Sequence, residues 1–290
     1  MSRSPSKIAV ALLAAAAVVL LTACGSGAAA SAGAAAEPST QTGGLPGEHV
    51  HGVARDPGNG SVYLATHQGL FRYDKGTSVR VGPNVDFMGF SIAGPGRFYG
   101  SGHPGEAVDL PAPVGLMESN DAGKTWTVLS RGGESDFHAL TSSSKGVLGF
   151  DGALRASTDG KTWTQPAITG QPISLAAAPD GSRVLATTAT GTLLSSDQGA
   201  TWGPLASAPP LLLAAWADRS TATGVTTTGH LTISSDAGAT WTTGTAKVDS
   251  AQAMSASRAP DGIVEVLIVT DSDIQRSVDS GATLSPLGSS

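Results

Sequence analysis

The chain has 290 residues, a formal net charge of −6, 5% aromatic residues and a single Cys. No basic patch or interleaving of aromatic with basic residues is present, which argues against a nucleic-acid partner. One Cys forms neither an internal disulfide nor a thiolate metal site.

Taken in order, the chain opens with Arg3 and Lys7 ahead of an apolar run from Ile8 to Leu21. A basic start followed by a short hydrophobic stretch is the layout of a signal peptide, and the run is short for a membrane-spanning helix. It ends in Leu21-Thr22-Ala23-Cys24-Gly25, which resembles a bacterial lipobox. That resemblance implies cleavage before Cys24 and a lipid on its thiol. The expected division is therefore a signal peptide over 1–23, a lipidated Cys24 with a flexible Ala/Gly/Ser spacer over 24–46, and a folded unit over 47–290. The mature protein is expected outside the cytoplasm, anchored to the plasma membrane, as a monomer.

Beyond the spacer no helical period of useful length occurs. Short β-branched or small-residue runs are cut by Gly, Pro, Asp and Ser, which is an all-β pattern. One turn recurs. Ser119-Asn120-Asp121-Ala122-Gly123-Lys124-Thr125-Trp126 reads S-x-D-x-G-x-T-W, and it returns around Asp197 and Asp236. The copy at Asp159 is one residue short, and the copy at Asp279 ends in Leu284 instead of Trp. Arg72-Tyr73-Asp74-Lys75-Gly76 reads as a worn copy. Ser and Asp side chains accept hydrogen bonds from backbone N–H groups within such a turn. Gly takes a positive φ, and Trp offers a large face for packing. Successive aspartates lie 38 to 47 residues apart, the period of a propeller or array.

Laid over one another, the repeats give first strands beginning near residues 49, 86, 136, 173, 212 and 253, and second strands near 62, 97, 147, 183, 221 and 264. The expectation is a six-bladed β-propeller of four-stranded blades. A seventh blade would need a further repeat, which is absent from the sequence. The turn resembles the Asp-box (BNR) repeat of sialidase, sortilin and photosystem-assembly-factor propellers. In it Asp121, Asp159, Asp197, Asp236 and Asp279 are structural residues, placed on the face away from the usual ligand side.

The opposite face receives the starts of the first strands and the ends of the second. There the first three repeats carry His49, His51, His67, Asp86, Met88, His103, Asp136, His138 and Asp151, with Glu134 and Arg155 near in sequence. Later repeats carry Leu175, Thr188, Thr226 and Thr270 at the corresponding places. Alternation along a strand would put His49 with His51, Asp86 with Met88, and Asp136 with His138 on one face. One reading is a polar ligand pocket of His49, His51, His67, Met88, His103 and His138. A metal could sit on His51, His67, His103 and His138: copper if Met joins, zinc if carboxylates do. The other reading is that these imidazoles satisfy backbone groups between blades.

The strings His49-Val50-His51-Gly52, Thr66-His67-Gln68-Gly69-Leu70-Phe71, Asp86-Phe87-Met88-Gly89-Phe90, Ser101-Gly102-His103-Pro104 and Glu134 through Leu140 are similar to those of bacterial sialidase-like "glycosyl hydrolase" lipoproteins. The likeness does not import the activity. The Arg-Ile-Pro-type motif and a repeat-matched arginine triad are missing, and Tyr63, Tyr73 and Tyr99 all lie in the first two repeats, in or beside strands. A glycosidase of another kind would need two carboxylates, for which Asp86, Glu134, Asp136 and Asp151 are the candidates. Three functions stay open: a surface propeller binding a metal ion, glycan or partner protein; a glycoside hydrolase in the same pocket; and an interaction scaffold using blade edges or the Gly105–Pro113 loop.

Overall fold

In a computed structural model, residues 44–288 are described in full, together with the backbone of Ser31–Ala32 and Thr40–Thr42. The expected signal peptide and Cys24 lie outside the described residues. The described chain contains strands and turns and no helix. Its strands form six antiparallel sheets that follow one another along the chain, the six blades of a propeller.

The innermost strands are Val50–Arg55, Val85–Gly94, Ala139–Ser143, Pro172–Ala177, Leu211–Trp216 and Ala253–Arg258. They surround a central cavity of about 430 Å³ lined largely by Ala, Ser and Thr. The second strands are the most buried. Val62–Thr66, Val184–Thr188 and Ala222–Thr226 are buried at every residue, because each lies inside a blade and is covered by blades on both sides. The core is a series of apolar clusters, most of them straddling a seam between blades. One joins Tyr63 and Leu70 of blade 1 to Phe87, Phe98 and Trp126 of blade 2.

The recurrent turn explains itself at the atomic level. Ser119 Oγ accepts the Gly123 N–H at 2.8 Å and donates to Asp121 Oδ1 at 2.9 Å. Asp121 then accepts the Thr125 N–H and hydroxyl at 2.9 and 2.7 Å. Trp126 Nε1 donates to the Gly123 carbonyl at 3.0 Å. Ala122 and Gly123 both have positive φ, so Gly removes one of two left-handed strains. The turns at Asp197 and Asp236 repeat this set. The turn at Asp279 repeats it without the indole bond. The segment read as a worn copy is different. Lys75 and Gly76 have φ of 46° and 82°, and Asp74 pairs with Thr77, which makes a plain two-residue hairpin.

Blade 3 departs from the four-strand expectation. It has Ala139–Ser143, Gly146–Phe150 and Leu154–Ser157, and then only a single bridge from Ala156 to Thr164. In this register residue 166 would make the next pair with Leu154, and it is Pro166, which has no N–H to donate. With the turn one residue short, Trp163 Nε1 turns to Ser130 Oγ of blade 2 at 2.9 Å instead of to its own turn.

Among the described residues, ring closure uses no shared strand. Blade 6 is built wholly from Ala253–Arg258, Val264–Val269, Ile274–Ser277 and Ser285–Pro286. It meets blade 1 through Arg55–Glu265 at 2.6 Å, a Gln252 amide oxygen accepting the Val50 N–H at 2.8 Å, and Tyr73 donating to the Leu287 carbonyl at 3.3 Å. Glu265 also holds Arg276 at 2.7 Å. Leu45 and Leu287 pack on the same apolar cluster at this seam. Thr40–Thr42 extends blade 1 beside Thr77–Val81, and Ser31–Ala32 extends blade 2 beside Trp126–Ser130. Both segments fall within the expected spacer.

Candidate functional site: the histidine mouth of the channel

The first strands do not run smoothly to the mouth. In blades 1, 2, 4 and 5 the pairing slips between Val50 and Gly52, Phe87 and Gly89, Pro172 and Ser174, and Leu211 and Leu213. In blade 3, His138 and Ala139 both face Phe150, and in blade 6, Gln252 and Ala253 both face Val269. Two residues opposite one is a β-bulge, which re-aims a side chain out of the ladder. The bulged residues are His51, Met88, His138, Ile173, Leu212 and Gln252, one per blade at the same rung. The bulges correct the expected alternation: His51 and Met88 leave the phase of their strands, and Asp136 and His138 lie in the loop ahead of Ala139–Ser143.

The histidines gather on one side of the mouth, and the bulges of blades 4 and 5 carry Ile173 and Leu212. On the polar side, His51 Nε2 lies 3.1 Å from His67 Nε2, and His67 Nδ1 lies 2.7 Å from Asp86 Oδ1. The ring of His49 meets His67 edge-on at 5.9 Å between centroids. Asp86 stands directly across the ladder from His103, whose Nε2 is 3.6 Å from Asp136 Oδ2. The same oxygen takes His138 Nε2 at 2.8 Å, while Asp136 Oδ1 is buried without a hydrogen-bond partner. Burial, then the neighbouring His67, pushes the His51 imidazole below its usual value. On the other side Ile173 stands 48% exposed.

The expected pocket residues thus gather from blades 1, 2 and 3, as two clusters: His49, His51, His67 and Asp86, and then His103, Asp136 and His138. The four-imidazole metal site does not form. Among the described residues no three His, Cys, Asp or Glu side chains form a group that could hold a metal ion, and Asp136 takes His103 and His138 on one oxygen. Two of the four candidate catalytic carboxylates belong elsewhere. Asp151 is nearly buried and binds Arg155 at 2.7 Å and the Ser135 hydroxyl at 2.6 Å, with Arg131 at 3.8 Å. Burial pushes its carboxyl up, but the bonds from Ser135 and Arg155 outweigh this and hold it below the usual carboxylate range. Glu134 is 65% exposed and pairs with Arg131 at 3.4 Å. Sequence reading missed Gln252, which bonds Asp271 at 2.8 Å beside His49. Its signal was its place at the start of the sixth first strand.

No family model and no curated protein matches the chain. Solved structures do. A YCF48 bound to D1 peptide matches 86% of this chain and 85% of its own at 13% identity, with a TM-score of 0.50. YCF48 from Cyanidioschyzon merolae matches 87% and 89% at 17% identity, with a TM-score of 0.51. An ancestral GH74 enzyme matches 84% of this chain, over 39% of its own length, at 13% identity with a TM-score of 0.52. The fold is that of a β-propeller. At these identities the likeness speaks for architecture, and function rests on the site.

Proposed function

We propose that this is a cell-surface lipoprotein whose propeller binds a ligand at the histidine mouth. One observation carries the reading: three blades deliver five imidazoles and two carboxylates to one rim, in two clusters joined by hydrogen bonds, ion pairs and a ring contact, on a mouth that also carries exposed Ile173. A purely structural role would leave these side chains under cover, yet His138 is 61% and His103 46% exposed. Imidazole and carboxylate give directional polar contacts, and Ile173 gives apolar area, the usual make-up of a recognition site. A propeller of the same fold takes a peptide, which is in keeping with a partner protein here; a glycan would use the same groups. The anchor is Cys24, with residues 1–23 as the signal.

The test is an array experiment. The mature chain is screened on peptide and glycan arrays beside a His51→Ala/His138→Ala variant with matched thermal melting. Binders lost in the variant support the mouth; binders that persist refute it. Palmitate labelling that survives Cys24→Ser would refute the anchor. The glycoside-hydrolase alternative makes a separate demand: turnover of a glycoside that disappears in Asp86→Asn or Asp136→Asn.

A further inference from the structure

The contact between His51 and His67 is unusual in its direction. A carboxylate only accepts, so Asp86 Oδ1 fixes the proton of His67 on Nδ1. The Nε2 of neutral His67 is then a lone pair, and it faces Nε2 of His51 at 3.1 Å. In the metal-free protein one proton on His51 Nε2 fills the gap. We propose that the pair takes a single copper ion, as Cu(I), between the two Nε2 atoms, with Asp86 as the carboxylate that orients His67. The inference rests on the reading of the mouth as a ligand site and names the ligand of its blade 1 half.

Binding needs no redox step and no net proton loss. The ion arrives as Cu(I) and forms two N–Cu bonds. The proton on His51 Nε2 is released to solvent and another is taken up on Nδ1, leaving His51 neutral. The donor set selects the metal. Two imidazole nitrogens satisfy a d¹⁰ monovalent ion that accepts two ligands, and the partly exposed rings, edge-on with their Nε2 atoms at 3.1 Å, swing apart to admit it. Zinc sites use three or four protein ligands, and among the described residues no third His, Cys, Asp or Glu joins the pair. Cu(II) asks for a tetragonal set, and calcium and magnesium ask for oxygen. The nearest carboxylate is turned to Nδ1, the usual place of the outer partner of a ligating histidine. The thioether of Met88, a soft group, stands on the equivalent bulge of the next blade. His103 and His138 are unsuited, since both Nε2 atoms address Asp136.

The experiment is anaerobic titration of the mature chain with Cu(I) against bicinchoninate, read by the colour of the competitor complex. The wild type should withdraw one equivalent. His67→Ala should lose this by more than about 100-fold, and Asp86→Asn should weaken it by about 10- to 100-fold while keeping both ligands. Thermal melting of each variant without copper checks the fold, and Asp86→Asn stands in if His67→Ala fails to fold. No withdrawal by the wild type, or equal withdrawal by a folded His67→Ala, overturns the copper site. So does Zn(II) binding of equal strength at the same residues. Each of these leaves the mouth itself to stand or fall on the array result.

Discussion

At the scale of single residues, the turn aspartates are the clearest case of sequence chemistry becoming structure. Asp236 receives three bonds, first from the Thr240 hydroxyl and N–H and then from Ser234, and these hold its carboxyl at about 2. Asp197 is held at about 2 in the same way. The folded carboxylate is favoured, so its stabilisation is complete above the ordinary carboxyl range near ~4 and disappears as pH falls from there through about 2. Asp236→Asn should therefore lower the urea midpoint at pH 6 and flatten its decline between pH 4 and 2. An unchanged slope there would show that Asp236 titrates alike in folded and unfolded chains. The turn residues were legible because their bonding is local. The site residues were legible as a set, since His and Asp recur at matching places in three repeats. Their division into two clusters was not, because it depends on which nitrogen each ring presents across blades.

At the scale of the element, strand order follows the period of the repeat, so every second strand falls within a residue or two of its expected start. Bulges escape such reading. One extra residue at each first strand reverses the facing of what precedes it, and nothing local distinguishes His51 or Met88 from its neighbours. The absent fourth strand of blade 3 has a local cause, at Pro166. Pro166→Thr supplies an N–H opposite Leu154 and should lengthen the bridge into a strand. Hydrogen exchange at the Leu154 amide should slow, with global stability changed by less than about 1 kcal/mol. Unchanged exchange would place the cause in the shortened turn at Asp159 instead.

At the scale of the whole molecule, each seam carries a polar latch beside its apolar contact. Asp56 accepts the Gly96 N–H at 3.1 Å between blades 1 and 2, and Ser91 meets Ser142 at 2.7 Å between blades 2 and 3. Thr141 accepts the Ala177 N–H at 2.9 Å, and Thr187 donates to the Leu212 carbonyl at 2.9 Å, across the next two. The last two seams use charge, Arg258 with Asp218 and Arg55 with Glu265. Glu265 is nearly buried and serves two arginines. Burial pushes its carboxyl up, and the bonds from Arg55 and Arg276 bring it below the usual value. Glu265→Gln should cost about 1.5–3 kcal/mol in urea unfolding, since both guanidinium groups keep some access to water. A loss under half of that would show that the apolar contacts alone close the ring.

Because blade 6 keeps all of its own strands, the join between last and first blades is a joint like the other five. Leu45 and Leu287 rest on one cluster, so a short linker could connect them while the chain is reopened at Ser207–Pro210. Such a circular permutant keeps four strands in each of blades 1 and 2, dropping only the added pairings of Thr40–Thr42 and Ser31–Ala32, and keeps every latch in place. In the original chain the first blade borders the break and the third stands two blades on, yet both supply histidines to the mouth. In the permutant the order of synthesis changes and the rim does not, so the histidine mouth belongs to the ring and not to the order in which its blades are made.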